Sequence, residues 1–478
     1  MLYKTILLFV LSMMKMTYSE YGTTNVNIDT DIVIETVSDR FLSVTIDTST
    51  IQANWATLNL SSPKVQVLAK ALSPCYLRVG GSSADYLQFN QSSESERYPK
   101  VSKEFMLTDH INNKLTNFTM IPRQWDELNH FVEEVGWDLI FDLNSLLRQN
   151  AQWSPANAKQ LMDYTTQKGY KIAGWELGNE PDVYKDVGIN ITGSQRAKDY
   201  NILHSLLNHY PQWRDSVVIG PSVTMLVKQI SRKYLQDFVD AGGPDIVTNP
   251  TFHHYYAHGP SMTVPKFMSP DILSNLLAAD KCCKEDSSIS FVWQILVRWL
   301  DKLGISASLG VDVVVRQTFY GGNYGLIDTK TSNPNPDFWL SLLYKKLVGR
   351  SVFNVTMEDK TGYVRMYTHC TNTQRSGYKP GSITVYGMNL RSEPTTVVFP
   401  QFKPDIKLHL YLMEPVGVDS LKSQTVALNG RTLSLNPDFS LPSMDYPEVV
   451  TSNFTFPQES FGFIVIPDAN VAACKVSS

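Results

Sequence analysis

Apolar runs of strand length recur through the first two thirds of the chain and alternate with stretches of helical period. "FLSVTID" (41–47), "CYLRVGG" (75–81), "WDLIFDLN" (137–144), "KIAGWELGN" (171–179), "SVVIGPS" (216–222), "PTFHHYY" (250–256) and "VDVVVRQTF" (311–319) are the seven clearest. A strand covered on both faces shows such continuous runs rather than a strict alternation, so these predict buried parallel strands. The stretches between them, such as "SPANAKQLMDYTTQKGY" (154–170), carry helix signals: a Ser at the N-cap position and a Gly near the end. Repeated strand–helix units of this length predict an α/β fold, a (β/α)8 TIM-type barrel, with a doubly wound sheet as the competing arrangement.

The texture changes after about residue 345. "YVRMYTHC", "SITVYGMNL", "TTVVFP", "KLHLYLM" and "FGFIVIP" are short strands separated by Gly, Pro, Asn and Ser turns. They predict a C-terminal antiparallel β-sandwich over 345–478, beside a barrel over 39–344. The early "NVNIDTDIVIETV" (25–37) is expected to lend the sandwich a strand. Cys370 and Cys474 bracket this second region, and in an oxidising compartment a disulfide between them would close it. The polar stretch 90–118 reads as a surface insertion open to proteases.

The N-terminus places Lys4 before a ten-residue apolar run, Thr5 to Met14, with a small-residue exit near Ser19. That is too short to span a bilayer and suits a cleaved signal peptide over 1–19. Six Asn-x-Ser/Thr acceptors fit the same secretory route: Asn59, Asn90, Asn117, Asn190, Asn354 and Asn453. The cysteines number five, an odd count that leaves at least one thiol unpaired within the chain, and their spacing does not suggest zinc. A net charge of −4 offers no broad basic surface, which argues against nucleic acid as a partner. Neither a cofactor nor a metal is expected.

One stretch, "AGWELGNEPDVY" (173–184), runs an apolar strand straight into Asn179-Glu180-Pro181. Most Glu-Pro pairs are turns with an exposed acid. In a barrel, however, the fourth strand's carboxyl end is where catalytic groups gather. Asp47, Arg78, Asn144, Asn179, His253, Tyr255, Gln317 and Tyr324 fall at other strand ends. Acids and amides there can bind sugar hydroxyls while aromatic rings stack on sugar faces; taken singly, His253 and Tyr255 would more simply be satisfied core residues. No Lys base or metal cluster at the strand ends favours an isomerase or aldolase.

Together "WELGNEP", "FLSVTID", "YLRVGG", "HHYY", "RQTFYGGNY" and "DFWLSLLYKKLVG" resemble the heparanase family, glycoside hydrolase family 79, from about Phe41 to Cys474. The resemblance implies a secreted or lysosomal endo-β-glucuronidase that cuts heparan sulfate with retention, and association with proteoglycans at the membrane surface. Retention requires two carboxyl groups about 5–5.5 Å apart, an acid/base and a nucleophile. By the match, Glu180 is the acid/base and Asn179 holds the sugar's 2-hydroxyl. Asp47, Ser82, His253, Tyr255, Gln317, Gly322 and Tyr324 line the cleft, and the family's C-terminal disulfide falls on Cys370 and Cys474.

The chain departs from the family at the nucleophile. "SPDILSNLLAADKCC" (269–283) reads as one helix and "FVWQILVRWLDKLG" (291–304) as the next, with only "KEDSSIS" between them. Seven polar-leaning residues cannot supply a buried strand with both its connections, so the barrel is expected to lack its seventh strand. Glu285 is the only glutamate in this stretch and the sole candidate nucleophile there, with a solvated turn acid as its simpler reading. In "VTMLVKQ" (223–229), where the family places basic residues, Lys228 is the only cation. The expectation is a heparanase-like retaining endo-β-glucuronidase with its nucleophile segment absent. The alternative is a non-catalytic relative that binds heparan sulfate or a protein partner.

Overall fold

A computed structural model describes residues 22–92, 116–226, 228–253, 292–322, 324–417 and 423–475. Its centre is a seven-stranded sheet. From one edge to the other the strands are Asn249–Phe252, Val217–Val223, Ile172–Leu177, Asp138–Leu143, Tyr76–Gly80, Leu42–Asp47 and Val314–Tyr320, every neighbouring pair parallel. In chain order this is sixth, fifth, fourth, third, second, first and last, the neighbour order of strands in a parallel barrel. All seven predicted runs are therefore strands of one sheet. Among the described residues, none lies between Asn249–Phe252 and Val314–Tyr320.

Both faces of the sheet are covered, which is why its strands are apolar almost throughout. Val44, Ile46, Leu77, Val79, Leu139, Phe141, Trp175 and Leu177 are fully buried in one continuous core with the helices outside. Helix Pro122–Val135 lays Trp125 edge-on against Phe141 at 4.8 Å, and Trp175 meets Trp213 at 5.2 Å. Parallel pairing puts every strand's carboxyl end at the same side of the sheet, and the candidate site is built there.

Two helix boundaries differ from those expected. The helix predicted from Ser154 begins at Ala156, behind Pro155, without a side-chain cap; its end is as predicted, on Gly169 in the left-handed region. The helix read as ending at Gly304 runs on to Ser308. Gly304 is a packing residue rather than a stop: a Cβ there would meet the Tyr367 ring at 2.2 Å, so its absence lets the helix press onto the second sheet. Buried Asp301 of the same helix accepts hydrogen bonds from Arg365 and from Tyr367 Oη, the latter at 2.7 Å. The region predicted as a helix over 269–283, Glu285, and the N-terminal segment with its expected signal peptide lie outside the described residues.

The second region is the expected sandwich, and its strands are hydrogen-bonded in one continuous order from leaf to leaf. The alternation of its inner strands explains its two-sided burial. In Ser460–Ile466, Phe461, Phe463 and Val465 join the barrel-side core, while Ile464 and Ile466 fill the sandwich interior. The early segment does lend a strand, Gly22–Thr36, which pairs antiparallel with Val348–Met357 and parallel with Thr395–Val398. That parallel pairing departs from the purely antiparallel expectation, and a register shift between Asp29 and Val33 lets the long strand bend from one leaf to the other. Cys370 and Cys474 are bonded, across 104 residues of sequence. The strands that flank the polar insertion, Leu87–Phe89 and Phe118–Met120, pair with each other and bring its ends together. All six Asn-x-Ser/Thr acceptors are exposed. Among the described residues no helix is long and apolar enough to cross a membrane.

Candidate active site

The fourth strand ends at Leu177, and the chain then turns sharply. Gly178 has a positive φ, and a Cβ there would strike Ser145 Oγ at 2.4 Å, so this step needs glycine. Glu180 itself sits in the left-handed region at φ 52°, a conformation the surroundings must hold in place. Its own backbone bonds and the turn that follows do so. Its N–H donates to the Ser222 carbonyl at 3.0 Å, and its carbonyl accepts from Val183 N at 3.1 Å. Pro181 opens the short 3₁₀ turn Pro181–Val187, where a missing N–H costs nothing. Asp182, fully enclosed, accepts from Thr224 N at 2.9 Å and from Ser231 Oγ at 2.6 Å, which ties this turn to the fifth strand and the helix after it.

Held this way, the Glu180 carboxyl is 12% exposed and its Oε1 lies 2.8 Å from Nδ1 of His253, at the end of the sixth strand. A carboxyl mostly sheltered from water, beside an imidazole and open on one side, is suited to giving and taking a proton.

The floor beneath it is a buried charged cluster. Arg78 Nε donates to Glu176 Oε2 at 2.6 Å, and its Nη2 donates to Asn179 Oδ1 at 3.0 Å and to Asp142 Oδ2 at 3.5 Å. Burial would pull the guanidinium down, but Glu176 and Asp142 outweigh it and raise Arg78 above its ordinary value. Asp142 moves far above the usual carboxylate range, through burial first and the neighbouring Glu176 charge second. One of its oxygens, Oδ1, has no hydrogen-bond partner. Arg78 takes the amide oxygen of Asn179, which leaves the amide NH₂ as the end that can donate elsewhere.

The backbone of Asn179 is fixed from below. Its N–H donates to Asp85 Oδ2 at 3.1 Å, and Asp85 also accepts from Tyr184 Oη at 2.5 Å and Ser145 Oγ at 2.7 Å. Burial lifts the Asp85 pKa against these bonds.

The remaining predicted residues lie at the same end of the sheet. Asp47 closes the first strand and accepts from Ser49 N at 2.8 Å. Gly81, at φ 105°, leaves room for it: a Cβ there would lie 2.2 Å from Asp47 Oδ2. This is the physical reason for the second glycine of "YLRVGG"; a Cβ on the first would lie 2.7 Å from Arg78 Cζ. Ser82 starts the next short turn, Gln317 accepts from Thr45 Oγ1, and Gly322 and Tyr324 face each other in the loop after the last strand. Lys228 is exposed just before helix Gln229–Asp240. Tyr255 and Glu285 lie outside the described residues. Sequence reasoning missed Glu176, Asp142, Asp85 and Asp182 as supports; acids inside or just after apolar strands were their only signal. Among the described residues no group of three or more His, Cys, Asp or Glu converges to hold a metal.

A family model described as "Glycosyl hydrolase family 79, N-terminal domain" matches residues 23–299. The chain is similar to heparanase of Gallus gallus, 34% identical over 92% of this chain and 94% of that one. It is also similar to hyaluronoglucuronidase of Hirudo nipponia, 33% identical over 94% and 99%, and to inactive heparanase-2 of Homo sapiens, 30% identical over 94% and 89%. The match to the Gallus gallus protein spans 498 positions, yet 92% of this chain is only about 440 residues, so about 58 of those positions face a gap here. Among solved structures it is similar in fold to a GH51 arabinofuranosidase from Xanthomonas axonopodis pv. citri, at TM-score 0.63 with 12% identity over 93% of this chain and 99% of that one. It is likewise similar to a 4-O-alpha-L-rhamnosyl-beta-D-glucuronidase from Fusarium oxysporum, at TM-score 0.64 with 13% identity over 92% and 99%.

Proposed function

The chain belongs to glycoside hydrolase family 79, and from that membership we propose that its site is the acid/base half of a retaining endo-β-glucuronidase acting on glycosaminoglycans of the heparan sulfate class. The observation that carries this reading is the Glu180 carboxyl, sheltered at the fourth strand's carboxyl end and 2.8 Å from His253. Protonated Glu180 gives its proton to the leaving glycosidic oxygen, then as carboxylate takes one from the incoming water. The Asn179 NH₂, which Arg78 leaves able to donate, holds the sugar's 2-hydroxyl, and Asp47, Ser82, His253, Tyr255, Gln317, Gly322 and Tyr324 line the cleft. The second carboxylate has to come from the chain between the sixth and last strands, where Glu285 is the only glutamate. Six exposed acceptors and the Cys370–Cys474 disulfide support a secreted or lysosomal setting for the same reading, where its substrate is carried on proteoglycans.

The test is turnover of a reporter β-glucuronide and shortening of heparan sulfate chains by the whole protein, beside Glu180→Gln. Activity that the substitution abolishes supports the proposal. A second reading, a non-catalytic glycan-binding relative, is favoured by the similarity to inactive heparanase-2 of Homo sapiens. Saturable glycan binding without turnover would decide for it.

A further inference from the structure

Resting on that reading of the site, we infer that Ser222 is the positioning residue of the acid/base: its hydroxyl holds a bulge in the fifth strand, and the bulge holds Glu180 and His253 against each other. The fifth strand, Val217–Val223, runs in register with the sixth up to Pro221 opposite Thr251, and pairing resumes with Val223 opposite Phe252. Ser222 is the extra residue, a bulge at the carboxyl end where the site is built. Its carbonyl faces the fourth strand and accepts the Glu180 N–H at 3.0 Å. The next carbonyl, of Val223, accepts the His253 N–H at 2.7 Å on the other side. Both members of the 2.8 Å contact therefore hang from consecutive carbonyls of one strand.

Ser222 sits in the left-handed region at φ 53°, where glycine would rest without strain. The side chain that serine adds is used. Fully buried, its hydroxyl donates to Glu176 Oε1 and, with its one proton so committed, accepts from Thr251 Oγ1 at 2.7 Å. These two bonds pin the bulge to the fourth strand on one side and to the sixth on the other. Glu176 is held in turn by Arg78, whose guanidinium also takes the Asn179 amide oxygen at 3.0 Å. The Ser222 hydroxyl is thus where the charged floor meets the backbone that carries Glu180 and His253. Glu180 is left-handed too, at φ 52°, so one backbone hydrogen bond joins two strained non-glycine residues. Such strain persists only where the surroundings over-determine it, and it gathers at functional sites. With no exposed surface, Ser222 acts on a ligand only through Glu180 and His253.

The experiment reads the His253 ring directly by magnetic resonance, so it does not depend on turnover. The whole protein is labelled with carbon-13 at the Cε1 of its nine histidines, and the His253 signal is the one missing from His253→Asn. Glu180→Gln should shift that signal and so mark the position of a broken contact; no shift overturns the inference at once. Ser222→Gly removes the hydroxyl while suiting the left-handed backbone, and should move the His253 signal toward the Glu180→Gln position. Made in the Glu180→Gln chain, Ser222→Gly should move it several-fold less, because the contact it disturbs is already gone. On a reporter β-glucuronide, Ser222→Gly should lower kcat about ten-fold and leave KM within about two-fold, as expected of a misplaced proton donor. A serine that only stabilises the fold would lower the thermal midpoint and leave the His253 signal in its wild-type position, and that result overturns the inference. If Ser222→Gly does not fold, Thr251→Val, which removes the hydroxyl's partner, is read in both backgrounds in the same way, and an unmoved signal again overturns it. A wild-type chain without turnover overturns the glycosidase reading, while the ring signal still decides for or against Ser222.

Discussion

Oε1 of Glu180 and Nδ1 of His253 are 2.8 Å apart, joining the carboxyl ends of the fourth and sixth strands across the fifth. Both side chains are partly open to solvent, so the contact does little for stability and its worth lies in aiming the carboxyl. His253→Ala should lower turnover of a reporter β-glucuronide about 10- to 100-fold while shifting the thermal midpoint very little. Parallel loss of midpoint and activity would instead make His253 a structural residue.

The Arg78 cluster behaves in the opposite way. Arg78→Met would leave Glu176 and Asp142 buried without a cation, at a cost of about 3–5 kcal/mol. Removing the second charge as well, in Arg78→Met with Glu176→Gln, should restore part of that loss. Denaturant unfolding of the two variants checks it: an equal or larger loss in the double variant would show that the cation does not serve to neutralise Glu176.

At Gly81 the constraint is steric. Gly81→Ala places a methyl 2.2 Å from Asp47 Oδ2 on a backbone at φ 105°, and should destabilise by about 2 kcal/mol or more. Because Asp47 must move to relieve the clash, the variant should also lose glycan affinity. A stability change without an affinity change would place Asp47 outside the cleft.

How much of this was legible follows the same division. The seven barrel strands could be read because burial on both faces demands an unbroken apolar run, and Glu180 could be read because Asn-Glu-Pro stands at the end of one. Glu176 and Asp142 could not: a single acid within "IAGWEL" or "DLIFDL" gives no sign of whether a cation from another strand will meet it. Arg78, on the second strand, is that cation, and the pairing exists only once the sheet is assembled. Gly304 misled for a related reason. A glycine looks the same in sequence whether it stops a helix or lets one lie close to Tyr367.

Asp337 gives a pH dependence with a definite sign. It is buried beside Arg316, whose Nη2 also donates to the Tyr324 carbonyl at 3.1 Å in the loop after the last strand. Burial raises the Asp337 pKa to about 6, against the pull of Arg316. The folded chain thus holds this proton up to about pH 6 while the unfolded chain loses it near pH 4, so Asp337's contribution to stability is full below about pH 4 and is lost as pH rises to about 6. Asp337→Asn should flatten that part of the stability profile. An unchanged slope between about pH 4 and 6 would assign the dependence to other buried acids.

The last prediction concerns the sixth and last strands of the sheet. Among the described residues, Asn249–Phe252 pairs only with Val217–Val223, and Val314–Tyr320 pairs only with Leu42–Asp47. A closed barrel would need one more strand there, and the retaining mechanism would need a carboxylate at its end. The sequence there sets only "KEDSSIS" between two helical patterns, too few residues for such a strand and its connections. Sequencing native transcripts across the codons for residues 275 to 295 should therefore reveal an in-frame insert that encodes an apolar strand ending in a glutamate. Protein made with that insert should turn over a β-glucuronide, and Glu180→Gln should abolish it. If every transcript reads directly from one helix to the next, the chain has no strand to carry the nucleophile, and glycan binding without cleavage becomes its function.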